Sequence, residues 1–277
     1  MTVTALATKR VDKPWGRHQL WPDFADPAPG ADPVGEIWFQ TPGPDSPDLL
    51  VKYLFTSEKL SVQVHPDDAS ARAAGYPRGK DEAWLVLAAE PDSTIAIGTL
   101  APVDSDRLRA AALDGSIEGL LDWKPVKAGD FFYSPARTVH AIGAGITLIE
   151  IQQNVDLTYR LYDYGRDRAL HLDEGVAVSD AVPFVAQDAP GEIAPGRTLL
   201  AEGPKFVLER WSAGVHKVAM AGKIGWLVPI SGAGQADHVA WRAGDCLTIT
   251  GDAVIDAAPG SDLLFAYPGD QRIEVGS

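Results

Sequence analysis

The sequence predicts a mainly β chain arranged as two β barrels of related design, the first carrying short helical insertions. Twenty-one prolines and 27 glycines fall between short apolar runs, the punctuation of many short strands joined by turns. Trp84-Leu85-Val86-Leu87 followed by Ala128-Gly129-Asp130-Phe131 is echoed by Trp226-Leu227-Val228-Pro229 followed by Ala243-Gly244-Asp245-Cys246, a weak internal repeat. Helical signals are confined to two stretches, which read as insertions into a β framework.

In chain order, Lys13-Pro14-Trp15-Gly16 and Gly35-Glu36-Ile37-Trp38-Phe39-Gln40 read as strands separated by a Pro/Asp/Gly loop over residues 22–33. Leu49-Leu50-Val51-Lys52-Tyr53-Leu54-Phe55 reads as a buried strand with one inserted cation. Residues 67–76 are Ala-rich, with acidic groups in the first turn and Gly75 near the end, all helix signals. Apolar spacing at Leu108, Ala112, Leu113, Ile117, Leu120 and Leu121 predicts one or two short helices over residues 105–123. Strands resume at Phe131-Phe132-Tyr133-Ser134 and at Ile146-Thr147-Leu148-Ile149-Glu150-Ile151-Gln152. The Pro/Gly/Ala-rich stretch 186–195 reads as a linker, which divides a first domain (1–185) from a second (186–277).

A chain of 277 residues can bury a sizeable core, and 45% hydrophobic with 22% charged residues is globular composition rather than disorder. Twenty-four Lys and Arg against 38 Asp and Glu leave a net charge of −14, which argues against nucleic acid or an anionic membrane as partner. A small phosphorylated ligand is still compatible, because a few local cations dominate at short range. The lone Cys246 excludes an intramolecular disulfide framework and a cysteine-based zinc site. No apolar run reaches the ~18 residues of a membrane span, and residues 1–13 lack the apolar core of a signal peptide. The expectation is a cytoplasmic protein, its oligomeric state open.

Chemistry concentrates in Leu60-Ser61-Val62-Gln63-Val64-His65-Pro66-Asp67-Asp68. On a strand, Ser61, Gln63 and His65 share one face while Val62 and Val64 share the other. A polar face inside an apolar strand is costly unless something engages it, and a divalent metal would. Glu82, opening the next strand, adds a carboxylate. Between Gly129 and His140, a Gly-Asp turn leads into a strand, Pro135 ends it, and His140 starts the next. If that strand pairs beside the first cluster, His140 completes a set with Gln63, His65 and Glu82. Nitrogen and oxygen donors without sulfur suit zinc, and also iron, manganese or cobalt. His18, His171, His216 and His238 lack such company and read as ordinary polar residues, His171 least so.

The spacing Gly129, Pro135, His140 resembles the second motif of the cupin superfamily. More narrowly, LSVQVHPDD (60–68), GK-x-EAW (79–84), TVHAIGAG (138–145) and EIQQNVDLTYRLYDYGR (150–166) resemble the type I mannose-6-phosphate isomerases in their compact bacterial form. KPWG (13–16) and VGEIW (34–38) match that family too, so the likeness is dense over residues 13–172. It implies two cupin-like (jelly-roll) barrels, one zinc ion per chain held by Gln63, His65, Glu82 and His140, and interconversion of mannose 6-phosphate and fructose 6-phosphate. Residue by residue it also implies active-site roles for Lys80, Glu150 and Arg160, with Ser61 and Arg166 holding the phosphate.

Aldose–ketose isomerisation through a cis-enediol needs a metal near O1 and O2 and a base near the carbons. Glu150 is the candidate base, since it alternates with Gln152 on one strand face while Ile149 and Ile151 occupy the other. Two competing classes are a cupin oxygenase with redox-active iron and a sugar-phosphate-binding cupin without catalysis. Against Arg160 and Arg166 stands a surface ion-pair array with Asp156, Asp163 and Asp167. The sequence departs from the family pattern at three places. Asp81 replaces a usual Thr or Ser and is expected to add negative charge near the metal. Arg137 replaces a usual glycine, so its turn is expected to avoid positive φ, and Val155 replaces a common Ser. In the second half, aligning Gly244 with Gly129 sets Ile255 opposite His140, so that barrel reads as degenerate and without a metal.

Overall fold

The computed structural model describes residues 3–21, 24–41, 47–186 and 190–276. It is mainly β, as the punctuation implies, although among the described residues the strands pair into three sheets and no barrel closes. The first half runs β1 (Val3–Ala5), β2 (Ala7–Arg17), β3 (Val34–Gln40), β4 (Leu49–Phe55), β5 (Val62–Val64), α1 (Asp68–Ala73), β6 (Glu82–Ala89) and β7 (Thr94–Thr99). It continues through α2 (Ser105–Asp114), β8 (Leu121–Pro125), β9 (Phe131–Ser134), β10 (His140–Ile142), β11 (Ile146–Gln153), β12 (Tyr159–Tyr162) and α3 (Leu172–Val178). The second half is all strand: β13 (Gly191–Ala194), β14 (Arg197–Glu202), β15 (Phe206–Ala219), β16 (Gly225–Ser231), β17 (Ala233–Ala236), β18 (Val239–Arg242), β19 (Leu247–Ile249), β20 (Ala253–Pro268) and β21 (Glu274–Gly276).

A six-stranded sheet, ordered β2-β3-β4-β11-β6-β9, faces a five-stranded sheet ordered β12-β5-β10-β7-β8. Between them Trp15, Leu54, Trp84, Val86, Ile95, Ile97, Ile142 and Leu148 form one core. The far face of the six-stranded sheet packs Val51, Tyr53, Phe55, Leu85 and Ile149 against Phe206, Leu208, Trp226 and Leu264 of the C-terminal sheet. With both faces covered, β4 buries all seven of its residues, which explains its almost unbroken apolar run. Each such large side chain contributes about 1.5–3 kcal/mol on burial. The outer face of the five-stranded sheet is covered by α2 and α3 through Leu108, Ala112, Val62, Val64 and Val176. The C-terminal sheet also takes in β1, paired with β19 from Val3↔Ile249 to Ala5↔Leu247. Ile255 lies in its apolar core beside Val218 and Ala236.

Local chemistry accounts for the helix ends. The Asp67 side chain accepts from the Ser70 amide at 2.8 Å and caps α1. Asp104 does the same for α2 through the Arg107 amide at 2.8 Å, and Gly115 at φ 82° stops it. The helical expectation over 105–123 thus holds to residue 114. A 3-10 turn follows at Ser116–Leu120, and residues 121–123 belong to β8 because β7 offers them an edge to pair with. α3 carries Gly175 and two valines and gave no helical signal. Of the expected loop 22–33, residues 22 and 23 lie outside the described residues, as do 187–189 of the expected linker, while Gly191–Ala194 pair with β14.

Asp68 ties the site-bearing half to the C-terminal sheet. Its carboxylate accepts from Lys205 Nζ at 2.7 Å, the Gly79 amide at 2.8 Å and Gln153 Nε2 at 3.1 Å. Burial pushes this carboxyl up, but Lys205 and the two amide donors outweigh it and hold it at about 2, below the ordinary 3.8. A depressed carboxyl stabilises the fold above the unfolded value and loses that contribution as pH falls from 3.8 to about 2. Asp68→Asn is expected to lower stability near neutral pH by about 1 kcal/mol, a figure discounted for its partial exposure. In denaturant titrations the deficit should shrink through that acid window; a deficit independent of pH would contradict the assignment.

Candidate metal centre and active site

Strand alternation builds the centre. On and beside β5, Ser61, Gln63 and His65 point between the sheets while Val62 and Val64 enter the helix-side core. β10 pairs with β5 so that His140 stands opposite Gln63. Glu82, the first residue of β6, comes in from the facing sheet. His65 Nε2 lies 3.1 Å and His140 Nε2 3.0 Å from Glu82 Oε1, and the three candidate ligand atoms lie within 4.8 Å of one another. Gln63 Nε2 is 3.2 Å from His140 Nε2, and its Oε1 accepts from Ser61 Oγ at 3.1 Å. A half-turn of that amide exchanges oxygen for nitrogen and presents the oxygen to the cluster.

The proton inventory shows what the cluster suits. His65 Nδ1 sits 2.9 Å from the Leu157 carbonyl and His140 Nδ1 2.9 Å from the Thr138 carbonyl. A carbonyl only accepts, so each Nδ1 carries the hydrogen and each Nε2 presents a lone pair. Two lone pairs therefore face Glu82 Oε1, which is buried with no donor of its own among the described residues, while Oε2 is met by Lys80 Nζ at 2.7 Å. Burial, with Lys80 beside it, pulls His65 down to about 4, so an imidazolium is disfavoured there at neutral pH. Burial pushes Glu82 up, but the Lys80 ammonium outweighs it and holds the carboxyl well below its usual range. An anionic carboxylate, two neutral imidazoles and an amide are a donor set for a divalent cation, so the residues fit a bound metal.

A cavity of about 350 Å³ opens beside this cluster. Ser61, Gln63, Lys80 and Glu150 line its depth. Lys13, Glu36, Trp38 and Lys52 stand on one wall, and Tyr159, Arg160, Arg168 and His171 on the other. Lys80 Nζ is 2.7 Å from Glu82 Oε2 and 3.2 Å from His65 Nε2. Glu150 alternates with Gln152 as expected, with Ile149 and Ile151 in the opposite core. Its Oε2 is 3.1 Å from Lys52 Nζ and its Oε1 accepts from Trp84 Nε1 at 3.3 Å. Burial pushes the Glu150 carboxyl up, outweighing the pull of Lys52 and Lys80. Arg160 donates to the Ala169 carbonyl at 3.1 Å, and no carboxylate pairs with it among the described residues.

Eight of the nine residues singled out from the sequence thus meet at the cluster or the cavity. Arg166 does not line the cavity: its guanidinium is committed to Asp163 at 3.0 Å, Glu58 at 3.0 Å and the Lys59 carbonyl at 2.6 Å. Arg168, two residues on, lines the cavity and holds Asp163 with two 2.6 Å contacts. The sequence reading missed Lys13, Glu36, Trp38, Lys52 and Arg168. A lysine inside an apolar strand was the available signal for Lys52, because lysine is almost never buried unpaired. His171 also lines the cavity, its Nδ1 accepting from the Arg160 amide at 3.2 Å.

Two expectations about departures from the family pattern are corrected. Arg137 adopts φ 75°. Its guanidinium pairs with Asp180 at 2.8 and 2.9 Å and its amide donates to the His65 carbonyl at 2.6 Å, contacts that offset the left-handed strain. Asp81 points away from the cluster: it accepts from Tyr133 Oη at 2.7 Å and the Ala136 amide at 3.1 Å, and burial pushes its carboxyl up. Alternation along the strand sends Glu82 inward and its neighbour outward.

No family model matches the chain. The mannose-6-phosphate isomerase of Streptococcus mutans is 35% identical over 239 residues, spanning 81% of this chain and 72% of that protein. The chain belongs to the mannose-6-phosphate isomerase family. Mannose-6-phosphate isomerase ManA of Bacillus subtilis is 42% identical over 146 residues, which span 50% of this chain and 46% of that protein. The crystal structure of the Bacillus subtilis mannose 6-phosphate isomerase superposes with a TM-score of 0.83 at 26% identity, covering 96% of this chain and 99% of that one. A zinc-bound mannose 6-phosphate isomerase shares the fold, with a TM-score of 0.70 at 15% identity over 97% of this chain and all of its own. As an isomerase of this family, the chain is expected to lose bound divalent metal in Glu82→Ala and His140→Ala while its near-ultraviolet circular dichroism persists. Metal analysis of the dialysed variants checks this, and full metal content in either would remove that residue from the ligand set.

Proposed function

We propose that this chain is a zinc-dependent aldose–ketose isomerase interconverting mannose 6-phosphate and fructose 6-phosphate in the cytoplasm. One observation carries the reading: the His65, Glu82 and His140 donors, with Gln63 beside them, converge beside a cavity lined by the buried Glu150 carboxylate and by the cations Lys80, Arg160 and Arg168. Two imidazoles, a carboxylate and an amide without sulfur are suited to zinc. Among the described residues no helix is long and apolar enough to cross a membrane. The division into a metal-binding domain (1–185) and a metal-free domain (186–277) belongs to the same proposal.

The bound cation would supply Lewis-acid stabilisation of negative charge developing on the sugar oxygens. Glu150, with its carboxyl pushed up by burial, takes the proton from C2 and returns it to C1. A single carboxylate serving both carbons works from one face, while the O2 hydroxyl proton passes to O1; O1 and O2 held on the same side by one cation would make the enediol cis. Lys80 places an ammonium beside the reacting oxygens and assists ring opening. The phosphate is held at the cationic wall by Arg160 and Arg168, with Ser61 donating and Arg166 acting through the shared Asp163 carboxylate.

In a coupled assay, mannose 6-phosphate should be converted without oxygen, the rate lost on chelation and restored by zinc. In deuterated water part of the product should carry solvent label, which an enediol permits and a hydride shift does not; transfer with no label under any condition would favour a hydride shift. Arg168→Ala should raise KM for the sugar phosphate about tenfold, the worth of one charge-assisted contact. Arg166→Ala should raise it less, and the opposite order would return the phosphate to Arg166.

A further inference from the structure

Lys52 stands inside a strand whose other residues are apolar, and every residue of that strand is buried. Register sets it opposite Glu150 of β11 and Trp38 of β3. Its Nζ lies 3.1 Å from Glu150 Oε2, 3.8 Å from Glu36 Oε2 and 4.8 Å from the centre of the Trp38 ring. Glu36 is itself held by Lys13 Nζ at 3.3 Å and by Trp38 Nε1 at 2.5 Å. A row of alternating charge, Lys13, Glu36, Lys52 and Glu150, therefore crosses β2, β3, β4 and β11 in spatial order, and all four line the cavity. Side-chain exposure falls along it from 30% at Lys13 to 6% at Glu150.

Fold stability alone is a poor reason for such a row, since apolar residues of similar size often replace a buried ion pair without loss. Burial acts to lower Lys52, but Glu150 and Glu36 outweigh it and raise its pKa, so it serves as a fixed cation rather than a proton carrier. The other oxygen of Glu150 accepts from the Trp84 indole at a longer 3.3 Å. Lys52 is thus the strongest restraint on the orientation of that carboxylate.

We propose that Lys52, held in turn by Glu36, is the positioning residue that aims the Glu150 carboxylate at the sugar carbons. The proposal rests on reading Glu150 as the base, and it gives a role to the KPWG and VGEIW segments, which supply Lys13, Glu36 and Trp38.

The test uses the zinc-loaded full chain acting on mannose 6-phosphate. Lys52→Met should lower kcat about 100-fold, the effect of misplacing a reacting group by about an ångström. KM should stay within about threefold and metal content should not change, because the interaction acts in the transition state. Lys52→Arg should recover part of the rate. Glu36→Gln, which leaves Lys52 and Glu150 in place, should lower kcat in the same direction by a smaller factor, and it carries the test if Lys52→Met does not fold. The double variant Lys52→Met/Glu150→Gln should be no slower than Glu150→Gln alone, since residues acting as one unit are not additive. Wild-type kcat in Lys52→Met, fully additive losses, or a rate loss that follows metal loss would each overturn the proposal. Glu150→Gln at wild-type kcat would bring down the reading of Glu150 as base and this proposal together. An inactive Glu150→Gln beside an unimpaired Lys52→Met would remove the positioning role alone.

Discussion

The constraint on which the rest depends is that the six-stranded sheet is buried on both faces, one of them apolar throughout and the other divided between an apolar core and a row of ionic groups. Val51, Tyr53, Phe55, Leu85 and Ile149 seal one side against the C-terminal sheet. The intervening positions, Glu36, Lys52, Glu82, Trp84 and Glu150, meet the cavity and the opposing sheet. A one-residue slip in any of these strands would drive the ionic groups into the apolar core. Packing therefore fixes the register, and the register fixes the row of charges. Stability and chemistry are specified by the same alternation.

The metal centre draws on the second sheet for the same kind of precision. β5 and β10 set Gln63 against His140, and carbonyls from outside those strands, at Leu157 and Thr138, orient the imidazoles. Each ligand thus answers to two segments, one supplying the side chain and another fixing its proton. Lys80 compensates Glu82 from the loop between α1 and β6 and stops the buried carboxylate from seeking a proton.

Much of this was legible in the sequence where periodicity and punctuation agree. Ser61, Gln63 and His65 against Val62 and Val64 gave the inward face of β5, and Glu150 with Gln152 gave that of β11. What escaped depended on distant pairing. Residues 121–123 continue a helical pattern, yet the open edge of β7 takes them as a strand. Arg166 and Arg168 are two residues apart in a turn, and only its path decides which guanidinium reaches the cavity. Glu36 is one charge among many until the pairing of β3 with β4 sets it near Lys52. Arg137 looked incompatible with a left-handed turn because the acids that hold it, Asp180 and Asp67, lie far off in sequence.

That strained arginine has a wider meaning. Its amide grips the carbonyl of His65, its own carbonyl accepts from the Asp180 amide, and it directly precedes Thr138, whose carbonyl steadies His140. The two histidine segments are in this way stitched to each other by polypeptide, independently of any ion. The separation of the two imidazoles is thus set in part by the polypeptide before any cation arrives.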